Sequence, residues 1–392
     1  MNNDVAVVRC GGYEYEIVRA RLAEAIGAVG GLDFVRPGCR VGIKANLVAA
    51  IPPEGAATTH PIFLSALTDL LRERGAEVVI GDSPGGLYTP SFVDHVYRAA
   101  GLSLCEEHGA ALNRDFSELS AVYEEARSAK TFTYTGWLAS CDLIVNACKL
   151  KSHGMMGMSA AAKNLFGAIP GTMKPEYHFR YPDYDRFADM IVDLDEYFKP
   201  ALSVCDAIVA MEGNGPTAGT PRPLGCILAS PSPHKLDLVA ASLIGLSPEQ
   251  VPTLKAAILR GLTPAAVGEL SLYGDPSAFA DPDFETVAVR HSLLFRGASD
   301  NVIGSIFGGI VQKALDSRPV LQKRLCVGCN KCGKICPAKA ISIVKGKAVI
   351  ARDKCIRCFC CQEFCPKGAM RVHRTWIAKI LTRSAKKPKS NT

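Results

Sequence analysis

No apolar run in this 392-residue chain reaches the ~18 residues that a bilayer-spanning helix needs, so no transmembrane segment is expected. Residues 1–10 alternate like a strand and lack the charged-then-apolar order of a secretion signal, which makes the cytoplasm the expected location. Acidic residues all but vanish from the end: residues 318–392 hold 19 Lys and Arg against 2 Asp and Glu, while residues 1–317 hold 26 against 36. A basic end beyond an acidic body suits an arm that docks on an acidic partner, on the body itself or on an anionic membrane surface; it also suits a solvated tail. Nucleic acid is not an expected partner, because Trp376 could stack beside the basic residues of the tail but no recognised motif accompanies it. Two nucleotide signatures are missing as well. The glycine-rich stretch 213–221 is followed by no Gly-Lys-Ser/Thr and departs from G-x-G-x-x-G, so neither ATP hydrolysis nor NAD binding follows from it.

What the chain does have is sulfur, with 16 Cys. Cys326, Cys329, Cys332 and Cys336 precede Pro337, and the series recurs 29 residues later as Cys355, Cys358, Cys361 and Cys365 before Pro366. At C-x2-C-x2-C-x3-C-P spacing, three thiolates of one tight loop bind one cubane and the fourth reaches across to the other. The expected cofactors are therefore two [4Fe-4S] clusters, one on Cys326, Cys329, Cys332 and Cys365 and one on Cys355, Cys358, Cys361 and Cys336. Zinc sites use two C-x2-C pairs instead, and disulfide frameworks belong to small secreted chains. Cys360 could stand in for Cys361, but the 29-residue repeat favours Cys361 and leaves Cys360 a spare thiol. Residues 318–372 resemble a bacterial-type two-cluster ferredoxin, which implies a small α+β unit carrying single electrons. Cys39, Cys141, Cys148, Cys205 and Cys226 lie in apolar contexts and read as small buried residues of a reduced compartment.

At 48% hydrophobic residues the chain can bury a large core and form two or three domains. Residues 1–295 alternate strand and helix, the pattern of an open, mostly parallel α/β sheet with helices on both faces. Strands are expected over 5–9, 40–45, 77–80, 142–150, 207–211 and 226–229. Helices are expected over 14–27, 61–74, 159–168, 186–198, 236–244 and 251–260, with a loop containing Gly154 and Gly157 before the third. Ile303, Ile306, Phe307, Ile310 and Val311 recur at helical spacing, so 296–317 reads as an amphipathic helix packing the ferredoxin-like unit on the body. Residues 373–392 form the basic tail.

Ligands of open α/β sheets bind beyond the carboxyl ends of the strands, and polar residues collect there. One strand ends in Lys44 and Asn46, which share a face if the extended chain continues. The next ends in Asp82-Ser-Pro-Gly-Gly, and the apolar run 142–150 leads to Lys149, Lys151 and His153 at alternate positions. Glu212 and Asn214 open the glycine-rich loop, Lys163 and Asn164 lie in the helix after Gly157, and His60 precedes the helix at Pro61. Each alone has an ordinary explanation, a solvated rim lysine or a helix-capping histidine. Together they suit a pocket for a small phosphate- or carboxylate-like ligand.

Lys44-Ala-Asn46, Thr59-His60-Pro61, Gly81-Asp82-Ser83-Pro84-Gly85, Lys149-Leu-Lys151-Ser-His153, Lys163-Asn164-Leu-Phe-Gly167 and Glu212-Gly-Asn-Gly-Pro216 resemble the family called domain of unknown function 362, over about residues 5–265. That domain is often joined to a ferredoxin-like module, so the resemblance implies an iron-sulfur protein of prokaryotic, often anaerobic, metabolism without naming a substrate. Three functions follow as expectations. In the first, the clusters exchange electrons with an anionic ligand held by Lys44, Asn46, Lys149, Lys151, Lys163, Asn164 and Asn214. There His153 or His60 moves protons and Asp82 or Glu212 orients or acts as base. In the second, a non-catalytic electron-transfer subunit docks on a partner oxidoreductase. In the third, His60, His153, Asp82 and Glu212 bind a divalent metal for non-redox chemistry.

Overall fold

The computed structural model describes residues 2–287 and 318–373. The helix expected within 296–317 and all of the tail beyond His373 lie outside the described residues.

The body is one nine-stranded sheet. Its strands are β1 (Val5–Arg9), β2 (Arg40–Lys44), β3 (Glu77–Gly81), β4 (Ala111–Leu112), β7 (Leu143–His153), β8 (Gly157–Ser159), β9 (Leu202–Glu212), β10 (Thr220–Ser230) and β11 (Leu272–Tyr273). A separate hairpin, β5 (Glu118–Val122) and β6 (Thr131–Thr135), stands beside it. The order across the sheet is β11-β1-β10-β9-β7-β2-β3-β4, with β8 folded back on β7. From β9 through β7, β2 and β3 to β4 the strands are parallel. The other side breaks the rule: β10 is antiparallel to both β9 and β1. The glycine-rich stretch that joins β9 to β10 is too short for the crossover a parallel partner requires, so the chain turns straight back.

Helices cover both faces because the strands are apolar on both. On one face, α1 (Tyr15–Ala28), α2 (Pro61–Arg72), α3 (Pro90–Ala99) and α4 (Ser103–Glu107) pack Leu22, Phe63, Leu64 and Val96 on Val8, Ile43, Val145 and Ala147. The opposite face lies against α5 (Ala161–Leu165), α6 (Lys174–Arg180), α7 (Tyr184–Phe198), α8 (Pro233–Leu243) and α9 (Pro252–Leu259). There Cys148, Leu150, Cys205 and Leu228 meet Leu236 and Val239, and Val79 and Ile144 meet Trp137, Phe187 and Ile191.

One local expectation needs correction. The run 142–150 extends through His153 and pairs back with β8, Lys151 opposite Ser159, so the glycines flank a hairpin before the helix begins. The helix expected over 159–168 forms over 161–168, as α5 running into a 3-10 turn, Phe166–Ala168. Cys39 and Cys141 are half-buried, whereas Cys148, Cys205 and Cys226 are buried as expected.

The C-terminal unit closes on itself: β12 (Arg318–Leu321) pairs antiparallel with β15 (Met370–His373), and β13 (Ile341–Val344) with β14 (Lys347–Ile350). Its inward residues Ala348, Ala369 and Met370 surround Cys326, Cys332 and Cys361.

Candidate functional site

Three strands deliver their ends to one rim, and the second cysteine loop lies across it. After β3, a Cβ on Gly85 would stand 3.0 Å from the Phe364 ring. After β7, a Cβ on Gly154 would stand 3.2 Å from Val372 Cγ2 and 3.4 Å from Gln362 Oε1. After β9, Asn214 donates to Met370 O at 3.4 Å and accepts from Val372 N at 3.2 Å. The Gln362 amide donates to the Asn214 and Gly215 carbonyls, both at 2.8 Å, and the Thr217 hydroxyl donates to Glu363 O at 3.2 Å. The helical turn Cys360–Glu363 is thus fastened to the carboxyl ends of the sheet.

Between rim and turn lies a chamber of charged side chains, with Lys44, Asp82, Lys151 and His153 buried and Lys163, Lys174 and Glu363 half-buried. His153 Nδ1 accepts from the backbone N–H of Met155 and Met156, both at 3.1 Å, so the ring proton sits on Nε2, 3.0 Å from Glu363 Oε1. Burial lowers His153 and keeps it neutral. Burial also pushes the Glu363 carboxyl up, but the His153 hydrogen bond and the nearby Lys163 outweigh it and hold the group at about 2, as the anion. Lys44 Nζ stands 2.6 Å from Asp82 Oδ1, and the other Asp82 oxygen accepts from Leu47 N at 2.7 Å. A Cβ at Gly167 would collide with both members of that ion pair, so only glycine leaves it room. Lys151 is fully buried and donates to Asn46 Oδ1 at 2.9 Å and Ala57 O at 2.7 Å; burial, then the charge of Lys163, lower it from 10.5 to about 7. Lys174 donates to Ser83 O, and burial lowers it to about 7 as well. His178 stacks on Phe187, its Nδ1 has no hydrogen-bond partner among the described residues, and burial holds it near 3.

Lys163 is different. Its Nζ sits 4.5 Å from the Phe166 ring centroid and finds no hydrogen-bond acceptor among the described residues, while Glu363, Lys44 and Asp82 all bear on its ionisation. The chamber therefore sets four lysines, Lys44, Lys151, Lys163 and Lys174, against two carboxylates, Asp82 and Glu363. Ammonium groups drawn out of water without enough counter-charge are costly in proportion to their burial, and a bound anion would supply that charge.

Other expected site residues serve elsewhere. Lys149 Nζ is 2.8 Å from both Asp206 Oδ2 and the Tyr13 hydroxyl, which itself donates to Asp206 Oδ1 at 2.8 Å. His60 stacks on Tyr13 at 3.6 Å and caps α2, its Nδ1 accepting from Ile62 N at 3.3 Å; burial lowers it to about 4. Glu212 accepts from the 285 backbone N–H at 2.9 Å and lies 3.9 Å from Arg222, away from the lysines. Asn164 donates to Lys44 O and Asn146 Oδ1, bracing the chamber wall, and Asn214 fastens the C-terminal unit. Asn46 lies just beyond the end of β2 and its Oδ1 accepts from Lys151, so it meets the chamber through that lysine. His60, His153, Asp82 and Glu212 do not converge: His60 sits on Tyr13, His153 on Glu363, Asp82 on Lys44, and Glu212 beside Arg222.

The cysteine loops repeat in space as in sequence. Left-handed backbone occurs at Gly328, Asn330 and Lys339, and 29 residues on at Arg357, Phe359 and Gly368. At non-glycine positions such backbone costs about 1 kcal/mol each, so the turns are imposed by the loop's shape. Ala340 N donates to Cys336 Sγ and Ala369 N to Cys365 Sγ, both at 3.2 Å, the same contact one repeat apart. A cavity is lined by Cys326, Cys329, Cys332 and Cys365 together with Leu321, Ile343 and Met370. Around Cys361 the neighbouring thiols are Cys358, Cys355 and Cys336, and then Cys332 of the first loop. Four soft sulfurs on an apolar wall, with N–H groups aimed at sulfur, fit a [4Fe-4S] cluster.

Comparison with known proteins bears on both halves. The family described as Domain of unknown function (DUF362) matches residues 41–242, just over half of the chain. The chain belongs to this family. Residues 318–366 match the 4Fe-4S dicluster domain, so this DUF362 protein carries a ferredoxin-like iron-sulfur domain at its C-terminal end. A thylakoid-associated protein of Synechocystis sp. is 33% identical over 273 residues, 68% of this chain and 82% of that one. Among solved structures, the lactate racemase apoprotein from Thermoanaerobacterium thermosaccharolyticum aligns with 54% of this chain and 51% of its own at 14% identity, TM-score 0.38. A Thermotoga maritima protein aligns with 53% of each chain at 15% identity, TM-score 0.35. The DUF362 protein spans about half the length of both solved chains. No helix among its described residues is long and apolar enough to cross a membrane.

Three chamber residues of the DUF362 protein escaped the reading of its sequence: Lys174, His178 and Glu363. Lys174 and His178 are four apart on α6 and so share a helix face, a signal the sequence offered. Glu363 lies two residues beyond Cys361, inside the cysteine loop, where nothing local ties it to the body.

Proposed function

We propose that this protein exchanges single electrons between two [4Fe-4S] clusters and a small anionic ligand held in the chamber between the α/β body and the ferredoxin-like unit. The observation that carries the reading is the lysine excess beside Glu363, whose turn also contains Cys360 and Cys361. Cys326, Cys329, Cys332 and Cys365 would hold one cluster and Cys355, Cys358, Cys361 and Cys336 the other; bound there, they supply one electron at a time. The Lys163 ammonium, which lies over the Phe166 ring and has no hydrogen-bond acceptor among the described residues, is the first contact for the anion. Lys151 and Lys174, at about 7, gain a proton when negative charge arrives and can pass one to a reduced ligand. Both nitrogens of His153 are engaged, so it holds Glu363 in place and leaves proton movement to the lysines. Cytoplasmic work belongs to the same proposal, with reduced thiols throughout.

The test is anaerobic titration of the cluster-loaded chain with phosphate and sulfite as probes. Binding should perturb the cluster EPR signals and, at pH 8, take up between about one and two protons, measured by calorimetry in buffers of different ionisation enthalpy. Lys163→Ala should abolish both effects with iron content unchanged. Anions that bind neither more weakly to this variant nor with proton uptake would sink the reading. An adaptor role has one observation in its favour, since Lys149, Asn164 and Asn214 are satisfied by internal partners. It predicts that Lys163→Ala leaves partner-linked electron transfer intact.

A further inference from the structure

The two ends of the ferredoxin-like unit face different surroundings. The second cysteine loop is turned to the body, with Phe359, Cys360 and Gln362 buried. The first loop is turned away: Leu325 is 43% and Val327 62% exposed, and Cys329 is exposed between them and the helical turn Lys331–Ile335. Gly328 abuts the β13–β14 hairpin tip, its would-be Cβ lying 2.6 Å from Gly346 O, and Lys347 Nζ donates to Cys326 O at 2.6 Å, so the first loop and the hairpin tip lie side by side. On the hairpin's outer face Val344 is 50% and Val349 48% exposed, set diagonally across the strands. Apolar side chains of this size clustered beside a sulfur ligand are unusual on a free surface.

Charge says what kind of molecule would cover them. Residues 318–373 contain thirteen Lys and Arg and two acids, Asp353 and Glu363, and Glu363 faces the chamber. Lys323 and Arg324 precede Leu325, Lys331 follows Cys329, and Lys345 stands at the hairpin tip, all exposed. Residues 288–317 hold three basic and two acidic residues, so their charge does not complement the patch.

We propose that Leu325, Val327, Val344 and Val349, within their ring of lysine and arginine, form the docking surface for a separate acidic one-electron carrier protein. This rests on the electron-transfer reading above and adds a direction in space to it. The carrier gives up or receives one electron at the Cys329 end, and the chamber lies at the other, where Cys360–Glu363 meets the body. An apolar centre excludes water while the basic rim steers and orients the partner, the division of labour seen at charge-guided interfaces.

The test uses the full, cluster-loaded chain and a flavodoxin hydroquinone as the acidic carrier; its anionic hydroquinone becomes the neutral semiquinone on giving one electron to a cluster, with no proton released. Stopped-flow reduction should slow roughly tenfold or more as ionic strength rises from about 0.05 to 0.3 M, because rim charges are screened beyond a Debye length. At low salt the doubly reversed variant Lys331→Glu/Lys345→Glu should show a similar loss, and Val327→Asp a loss that salt does not mimic. Reduction by dithionite should be unchanged in each, which separates failure of docking from failure of the clusters, and phosphate binding at the chamber should also persist. Hydrogen exchange should show residues 325–329 and 344–349 protected by the carrier. The proposal is overturned if charge reversal leaves the flavodoxin rate and its salt dependence intact. It is equally overturned if those amides are already protected in the free chain, meaning its own segment covers them, or if sedimentation shows a dimer lost in Val327→Asp, meaning a second copy does.

Discussion

Replacing Lys151 with methionine removes a buried ammonium whose ionisation is tied to the fold. In water a lysine loses its proton near 10.5, and here burial brings that to about 7, with Lys163 and Lys149 adding to the fall and Asp82 and Glu363 opposing it. At 1.36 kcal/mol per tenfold, the displacement is worth about 5 kcal/mol over the whole window. Between pH 7 and 10.5 the unfolded chain binds this proton and the folded chain does not, so stability rises with pH across that window and gains nothing further above it. From pH 7 to 9 the gain amounts to ~2 kcal/mol from this residue. Methionine leaves Asn46 Oδ1 and Ala57 O without their donor, a loss of about 1–3 kcal/mol that is the same at both pH values. The informative quantity is therefore the difference of differences: Lys151→Met should be ~2 kcal/mol more damaging at pH 9 than at pH 7. Native-state hydrogen exchange of the Val145 and Ala147 amides in β7, held anaerobically with clusters loaded, measures it. Lys174 contributes equally to both proteins and cancels. Parallel pH profiles within about 0.5 kcal/mol would refute the reasoning.

Gly167→Ala should break the buried Lys44–Asp82 pair, costing about 3–5 kcal/mol in a denaturant titration, while the same change at the open Gly27 should cost nothing of the kind. Gly154→Val should push the Val372 and Gln362 side chains away by overpacking, loosening the attachment of the C-terminal unit by roughly 1–3 kcal/mol; faster exchange of the Val372 amide would report it. Gln362→Ala strands the Asn214 and Gly215 carbonyls and should weaken the same attachment by about 1–3 kcal/mol. Asp193→Ala should be among the more damaging changes in the body, about 3 kcal/mol or more by thermal unfolding. That carboxylate accepts from the backbone of Arg127, Ser128 and Ala129 and pairs with the buried Arg260.

Where the sequence could be read, the signal was local. Alternation put Lys149, Lys151 and His153 on one face of one strand, and the structure keeps them there, since a strand's period does not depend on its neighbours. What each lysine meets was hidden, because partners come from 57, 105 and more residues away. Lys149 found Asp206 and closed a satisfied network, Lys151 found only neutral oxygens, and His153 found Glu363 in another unit altogether.

The doubled cysteine pattern shows the division most clearly. Spacing alone set two equivalent loops, because a tight turn that gathers three sulfurs is a property of a dozen consecutive residues, and the left-handed positions repeat 29 apart accordingly. The order of strands and helices was likewise written in local periodicity. Only the tertiary structure decided that β10 runs antiparallel, that the second loop caps the sheet's carboxyl rim, and that Glu363 enters a chamber of lysines. Those outcomes depend on packing between residues far apart in the chain, where burial and charge act through space, and no spacing along a sequence records a distance across a fold.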